Sequence, residues 1–226
     1  MKSIEPKING FLFNVFKAKL VNYNIGACDY KDGYILPISS IIPVRLDGIV
    51  GLRALELEID FEGTTKREIT MNISKFTVML HKGADIILPD GFHYSCVYES
   101  ATDPEEEAPW IMKVKFSLSC YRHGARCCKV FNESGKLFVE GNYKTPAVFT
   151  ITPFEGVNEV TVNGITVNSI DGTVIIDGIN KTVTSNGINI FANTDITKFP
   201  VLETGYNDIQ IRGNASVEVS YYPIYL

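Results

Sequence analysis

One stretch of ten residues, Ala54–Gly63 (ALELEIDFEG), alternates without a break between apolar and acidic side chains. Its apolar positions are Leu55, Leu57, Ile59 and Phe61, and its acidic positions are Glu56, Glu58, Asp60 and Glu62. Successive side chains of a β-strand point to opposite faces, so this period of two predicts a strand with one face in a core and the other in water. A chain that contains it must form an amphipathic sheet.

A second stretch, Trp110–Cys120 (WIMKVKFSLSC), repeats the alternation. Its apolar positions are Met112, Val114, Phe116 and Leu118, and its basic positions are Lys113 and Lys115. If the two strands are antiparallel neighbours, lysines face carboxylates, and each cross-strand pair contributes roughly a few tenths of a kcal/mol. Two alternatives remain open: both outer faces are simply solvated, or the acidic face of one copy meets the lysines of an adjacent copy.

The segment between these strands, Thr64–Gly83, has a different period. Its apolar residues recur every three or four positions, at Ile69, Ile73, Phe76 and Leu80. Thr64 or Thr65 can cap the start, Glu68 completes a capping box with Thr65, and Gly83 is typical of a helix end. The pattern predicts a core-facing helix near residues 65–81.

An acidic segment, Glu99–Pro109, follows without any periodicity. Its four consecutive or nearly consecutive carboxylates are Asp103, Glu105, Glu106 and Glu107. Such a cluster can bind a cation, but it is more typical of a solvated loop, which is the interpretation favoured here.

Turn signals multiply after Gly141, where four dipeptides punctuate short β-branched runs: Asn163-Gly164, Asp171-Gly172, Asp177-Gly178 and Asn186-Gly187. Asn-Gly and Asp-Gly favour the positive φ that tight hairpins require. The last alternating run places Val217, Val219 and Tyr221 on one face. The sequence therefore predicts a mainly β protein. A β-sandwich with one helix spans residues 1–140, and an antiparallel β-sandwich spans residues 141–226.

Composition excludes several classes of function. The 226 residues carry a net charge of −5, which argues against nucleic-acid binding. No signal peptide is recognised, and no apolar run approaches the ~20 residues of a spanning helix, so no membrane association is expected. Five cysteines, an odd number, indicate reduced thiols in a cytosol and not a disulfide framework.

The chemistry-bearing residues are few. The three histidines are His81, His93 and His123, and the sequence contains none of the common nucleophile, phosphate-loop or metalloprotease motifs. The segment Cys120–Cys128 spells C-x2-H-x3-C-C, with Cys120, His123, Cys127 and Cys128 as possible zinc ligands. Adjacent cysteines point to opposite faces of an extended chain, so small apolar thiols are favoured over zinc.

Two further alternatives concern catalysis and sugars. A nucleophilic Cys120 or Cys128 needs a base such as His123 or His93, and a thiol enzyme is not expected. An aromatic platform for glycans has four candidates in the second half, namely Tyr206, Tyr221, Tyr222 and Tyr225, whereas the single Trp110 lies in the first half. We therefore predict no catalytic, cofactor-binding or metal-binding residue, no cofactor and no enzymatic activity, with a carbohydrate-binding module as the alternative.

The last third of the chain resembles the distal tail (Dit) proteins of long-tailed bacteriophages. Two motifs carry the resemblance: Phe199, Pro200, Leu202, Gly205 and Asn207, then Ser220, Tyr221, Pro223, Tyr225 and Leu226. The start of the second half at Gly141, the segment Pro43–Gly48 and the helical Asn72–Phe76 are also similar to that family.

This resemblance implies a structural hub protein. The first domain is then expected to form a hexameric ring, and the second to be a galectin-like sandwich outside it. Expected partners are further copies of this chain, the tail tube protein, and a tail-associated lysin, tail fibre or receptor-binding protein, with host glycan as a further option. The expected location is the distal end of the virion tail, after assembly in the host cytoplasm.

Overall fold

A computed structural model describes residues 4–31, 34–35, 44–45 and 49–226. It divides into two compact units, Met1–Arg122 and His123–Leu226. The division precedes the expected boundary at Gly141 because two earlier strands, Cys127–Phe131 and Gly135–Val139, pair with strands of the second unit. The Pro43–Gly48 segment lies outside the described residues except for Val44 and Arg45.

The first unit is built from one main sheet and one α-helix. Its strands are β1 (Lys7–Ile8), β2 (Phe11–Leu12), β3 (Ala18–Lys31), β4 (Tyr34–Ile35), β5 (Val44–Arg45), β6 (Ile49–Glu62), β7 (Ala84–Ile87), β8 (His93–Ala101), β9 (Glu105–Ala108) and β10 (Ile111–His123). The helix α1 is Lys66–His81, and a short 3₁₀ helix spans Phe13–Phe16. The main sheet has the order β2-β1-β7-β8-β10-β6-β3, with β9 added beside β10.

Helix α1 lies on the apolar face of this sheet, as its period predicts. Phe76 is fully buried and makes edge-on contacts with Phe13 and Phe61, with ring centroids 5.0 and 5.6 Å apart. The Thr65 hydroxyl accepts the first-turn bond from Glu68 N at 3.1 Å, so the predicted cap is confirmed. The return bond differs by one residue, because the Glu68 carboxylate accepts from the backbone and hydroxyl of Thr64.

The second unit is all β apart from a 3₁₀ turn at Phe191–Asn193. Its strands are β11 (Cys127–Phe131), β12 (Gly135–Val139), β13 (Thr145–Pro153), β14 (Glu159–Val162), β15 (Ile165–Asn168), β16 (Val174–Asp177), β17 (Thr182–Ser185), β18 (Ile188–Asn189), β19 (Val201–Leu202), β20 (Gly205–Ile209), β21 (Ile211–Arg212), β22 (Ala215–Tyr221) and β23 (Ile224–Tyr225). One sheet has the order β11-β22-β13-β16-β17-β18, and smaller sheets pair β12 with β20 and join β15, β14 and β21. The mainly β fold predicted from the sequence is confirmed.

Strand β22 holds this unit together, because it pairs with β11 on one side and with β13 on the other. Val217, Val219 and Tyr221 point into the core, as the alternation predicts. No α-helix in the described part of the chain is long and apolar enough to cross a membrane.

The four predicted turn dipeptides have two different roles. Asn163-Gly164 and Asn186-Gly187 form tight hairpins with positive φ at both residues, as predicted. The other two do not form two-residue hairpins. Gly178 has no positive φ, and it is required for another reason: its backbone N donates to Ala147 O at 2.9 Å, and a Cβ would overlap the carbonyl oxygens of Ala147 and Pro200.

We expect Gly178→Ala to lower the free energy of unfolding by about 1–3 kcal/mol, the usual cost of forcing extra atoms into a packed site. Gly124→Ala is the matched control in the same unit, because its new Cβ meets nothing closer than Tyr225 at 3.5 Å. Chemical denaturation of both variants measures the difference. Equal stability of the two variants would contradict the close approach at Gly178.

Candidate interaction surfaces

The acidic and basic faces predicted from the two alternating strands meet within the chain. Strands β6 and β10 are antiparallel neighbours, with Lys113 opposite Asp60 and Lys115 opposite Glu58. The Lys115 Nζ lies 2.8 Å from Glu58 Oε1. Their hydrogen bond holds the pKa of Glu58 below its usual value and raises the pKa of Lys115. The contact between copies that the sequence left open is therefore replaced, for these side chains, by pairing within one copy.

The acidic segment was predicted to be a solvated loop, and this prediction is wrong for part of it. Residues Glu105–Ala108 form strand β9, which pairs with the start of β10. Glu106 lies 3.1 Å from Lys66, and Glu107 lies 3.0 Å from Lys113. Two of the four carboxylates considered above as a cation site therefore have lysines as partners.

The turn between β9 and β10 presents the single tryptophan. Trp110 is 57% exposed, and its φ of 70° lies in the left-handed region that bulky residues avoid. Its carbonyl oxygen accepts from Gly63 N at 3.2 Å, which ties the turn to the end of β6. Shallow pockets of about 140 and 480 Å³ flank the indole. An exposed tryptophan held in a strained conformation indicates a functional contact and not core packing.

The three cysteines considered above as possible zinc ligands have different surroundings. Cys120 lies in the core of the first unit with Cys96. In the second unit, Cys127 packs beside Tyr221, where burial raises the pKa of both groups, that of Tyr221 to about 12. Cys128, the next residue on β11, is exposed on the opposite face. The side chains of Cys127 and Cys128 therefore point to opposite faces of β11, as expected for adjacent residues of a strand.

Each histidine has contacts that suit a structural role. His81 stacks on Tyr98 with ring centroids 4.3 Å apart, and His93 Nδ1 lies 2.8 Å from an Asp85 carboxylate oxygen. His123 is buried, and its Nδ1 donates to the carbonyl oxygen of Gly124 at 2.8 Å.

One of the four predicted platform tyrosines is strongly exposed. Tyr206 on β20 is 77% exposed, whereas Tyr221 is buried and donates its hydroxyl to Phe138 O at 3.2 Å. Phe138 lies opposite Tyr206 on the neighbouring strand β12 and is 54% exposed, with ring centroids 5.2 Å apart. Sequence reasoning missed Phe138, although its place between the buried Leu137 and Val139 signals an outward side chain.

The motif shared with distal tail proteins has a structural explanation. Gly205 has a φ of +87°, and the Asn207 amide donates to Glu203 O at 2.7 Å while its oxygen accepts from Glu203 N at 2.9 Å. The asparagine thus closes the turn between β19 and β20 with its side chain, and the buried Leu202 anchors that turn in the core.

Comparison with known proteins agrees with this resemblance. A family model described as siphovirus-type tail component, C-terminal domain, matches residues 140–225. The match begins next to Gly141, where the sequence changes to dense turn signals. No curated protein sequence matches the chain.

Solved structures have the same fold over nearly the whole chain. The crystal structure of the SPP1 Dit protein aligns with a TM-score of 0.72 and 14% identity, covering 98% of this chain and 99% of that chain. A chain of the phage p2 baseplate in its activated conformation with Ca aligns with a TM-score of 0.58 and 10% identity, covering 92% and 90%. The corresponding p2 structure with Sr gives 0.57 and 10%, covering 90% of each chain.

Residues 140–225 are therefore similar to the C-terminal domain of siphovirus-type tail components. The matching model is that of the SPP1 Dit proteins, and the chain as a whole has the Dit fold. The resemblance inferred from the motifs is confirmed.

The ion pair between Lys115 and Glu58 gives a pH-dependent prediction. Because the folded-state pKa of Glu58 is lowered, its contribution to stability is present above the ordinary Glu pKa of about 4.3 and is lost as pH falls through the folded value. Lys115→Met should lower the melting temperature slightly near pH 7 and have no effect near about pH 3. In a Glu58→Gln background the same substitution should have no effect at either pH. An equal loss of melting temperature at both pH values would contradict the ion-pair explanation. The loss would then come from packing of the aliphatic part of the Lys115 side chain.

Proposed function

We propose that this protein is the distal tail hub of a long-tailed bacteriophage. It forms a hexameric ring that joins the tail tube to the tail-tip or receptor-binding apparatus. Its partners are other copies of the chain, the tail tube protein, and a tail-associated lysin, tail fibre or receptor-binding protein. It acts at the distal end of the virion tail after assembly in the host cytoplasm, and it has a structural role without enzymatic activity.

The observation that carries this proposal is the likeness of both units to one known protein. The SPP1 Dit protein, described as a paradigm of the hub adsorption apparatus in phages that infect Gram-positive bacteria, aligns with 98% of the chain. The family match to a tail component in residues 140–225 supports the same role independently.

The surface of the first unit supports assembly by a tryptophan contact. A closed ring needs heterologous interfaces, in which each copy presents different surfaces to its two neighbours. The Lys115–Glu58 ion pair between β10 and β6 forms within one chain, so these two side chains supply little electrostatic drive for association. Exposed Trp110 is then the strongest candidate anchor. In many interfaces a few residues, often tryptophans, supply most of the binding energy.

Native mass spectrometry of the purified protein tests the ring. We expect an assembly of six 25.1 kDa chains that is visible as a ring by negative-stain microscopy. Trp110→Asn should weaken association by about tenfold or more, since hot-spot truncation costs about 2 kcal/mol or more. Thermal stability should be unchanged or higher, because Asn tolerates the left-handed conformation better than Trp.

Tyr206→Asn is the matched control, because it removes an exposed aromatic side chain from the second unit. This substitution should leave the hexamer intact. A wild-type protein that remains monomeric at high concentration and joins no tail particle would contradict the hub proposal. A ring that is unaffected by Trp110→Asn would contradict only the assignment of the anchor.

Carbohydrate binding is the second candidate function, and the exposed Phe138–Tyr206 pair favours it. Sugar rings stack on exposed aromatic faces, and the outward neighbours Lys136 and Asp208 add a charge of each sign for hydroxyl groups. A glycan array with the whole protein should then show binding that Tyr206→Asn abolishes and Trp110→Asn retains. No binding by the wild type would leave the aromatic pair as a protein-contact surface.

A further inference from the structure

Three cysteines and one arginine lie on four neighbouring strands of the main sheet of the first unit. Cys120 on β10 is directly opposite Arg53 on β6, and Cys28 on β3 is directly opposite Arg53 from the other side. Cys96 lies on β8, the strand that neighbours β10 on its other edge. Directly opposite residues of antiparallel strands share a face, so the guanidinium group lies on the same face as the thiols of Cys120 and Cys28.

Cys96 and Cys120 form a buried thiol pair. They are 4% and 0% exposed, they lie in the same core, and their strands β8 and β10 are neighbours in the sheet. The Cys96 Sγ is also fixed by its contact of 3.2 Å with the carbonyl oxygen of Tyr94. Thiols on neighbouring strands of one sheet can be bridged when their Cα atoms lie about 4.4–6.8 Å apart.

The surroundings favour a thiolate at one member of this pair. The interaction with the neighbouring Cys96 thiol lowers the pKa of Cys120 despite burial, and the Arg53 guanidinium adds to the effect. The same interaction together with burial raises the pKa of Cys96. Arg53 is fixed by a bond from Nη1 to Gly26 O at 3.1 Å. Because the cationic Arg53 lies directly opposite Cys120, we assign Cys120 as the nucleophile, and Cys96, which donates to Tyr94 O, keeps its proton.

We propose that Cys96 and Cys120 are a peroxide-oxidisable pair that closes an intramolecular disulfide. The Cys120 thiolate attacks one oxygen of hydrogen peroxide, the O–O bond breaks, and hydroxide leaves, so Cys120 becomes a sulfenic acid. The Cys96 sulfur then attacks the Cys120 sulfur and loses its proton, and water leaves. Two thiols and one peroxide yield one disulfide and two waters, so the sulfurs lose the two electrons that the peroxide gains.

The bond would covalently join two neighbouring strands of the sheet that carries α1. Cross-linking restricts the unfolded chain and therefore stabilises the native fold. If the hub proposal is correct, the chain is made in a reducing cytosol and then works outside the cell, where disulfides persist. Oxidation would then strengthen the protein at the stage when no chaperone or new synthesis can replace it.

The experiment treats the reduced wild-type protein with hydrogen peroxide and follows intact mass and peptide maps. We expect a mass loss of about 2 Da and a Cys96–Cys120 cross-linked peptide, formed over hours because both thiols are buried. The melting temperature should rise by several degrees, and reduction should reverse the rise.

Two variants separate this pair from the other thiols. Cys128→Ala removes the exposed cysteine and should leave the cross-link unchanged. Cys96→Ala removes the resolving thiol, so Cys120 should gain oxygen instead of losing hydrogen. If Cys96→Ala does not fold, the peptide map of the wild-type protein still shows whether Cys96 and Cys120 are cross-linked.

A map in which Cys96 and Cys120 stay reduced, or in which Cys127 or Cys128 forms the only disulfide, overturns the inference. These measurements use the protein without tail particles, so they do not depend on assembly. Assembly into a ring with a pair that stays reduced would reject only the disulfide. A cross-link in a chain that never assembles would reject only the hub.

Discussion

The antiparallel pairing of β6 with β10 is the constraint on which the first unit depends. Its register, from Ile111 opposite Glu62 to Cys120 opposite Arg53, decides which side chains enter the core. A slip of one residue would turn every apolar side chain to water and every charge inward, so the alternation specifies one register. The core under α1, the Lys115–Glu58 ion pair and the placement of Cys120 opposite Arg53 all follow from this single alignment.

The same register explains why the alternating charges of β6 and β10 do not require a second copy as partner. Within one chain, Lys115 on β10 pairs with Glu58 on β6, and Lys113 on β10 pairs with Glu107 on β9. The surface left for other molecules is then aromatic, with Trp110 at a strained turn of the first unit and Phe138 with Tyr206 on the second. Aromatic anchors surrounded by neutralised charge are typical of interfaces that exclude water.

Several elements were predictable from the residues because local chemistry alone specifies them. The helix, its Thr65 cap, the two alternating strands and the Asn-Gly hairpins required only periodicity and turn preferences. The Glu105–Ala108 strand was missed because it has no apolar alternation; it exists because β10 offers an edge and lysines to pair with. The role of Gly178 was misjudged for a related reason: Asp-Gly signals a turn, whereas the close approach of Ala147 and Pro200 comes from distant chain.

By itself the sequence determined the periods, the caps and the motifs that connect this chain with distal tail proteins, since these depend on residues close together along the chain. Only the tertiary structure decided where the two units divide, which ring of Tyr206 and Tyr221 faces water, and that Cys120 lies opposite Arg53. Those outcomes depend on strand order, and pairing between strands far apart in sequence is set by how the whole core closes, which no local pattern records.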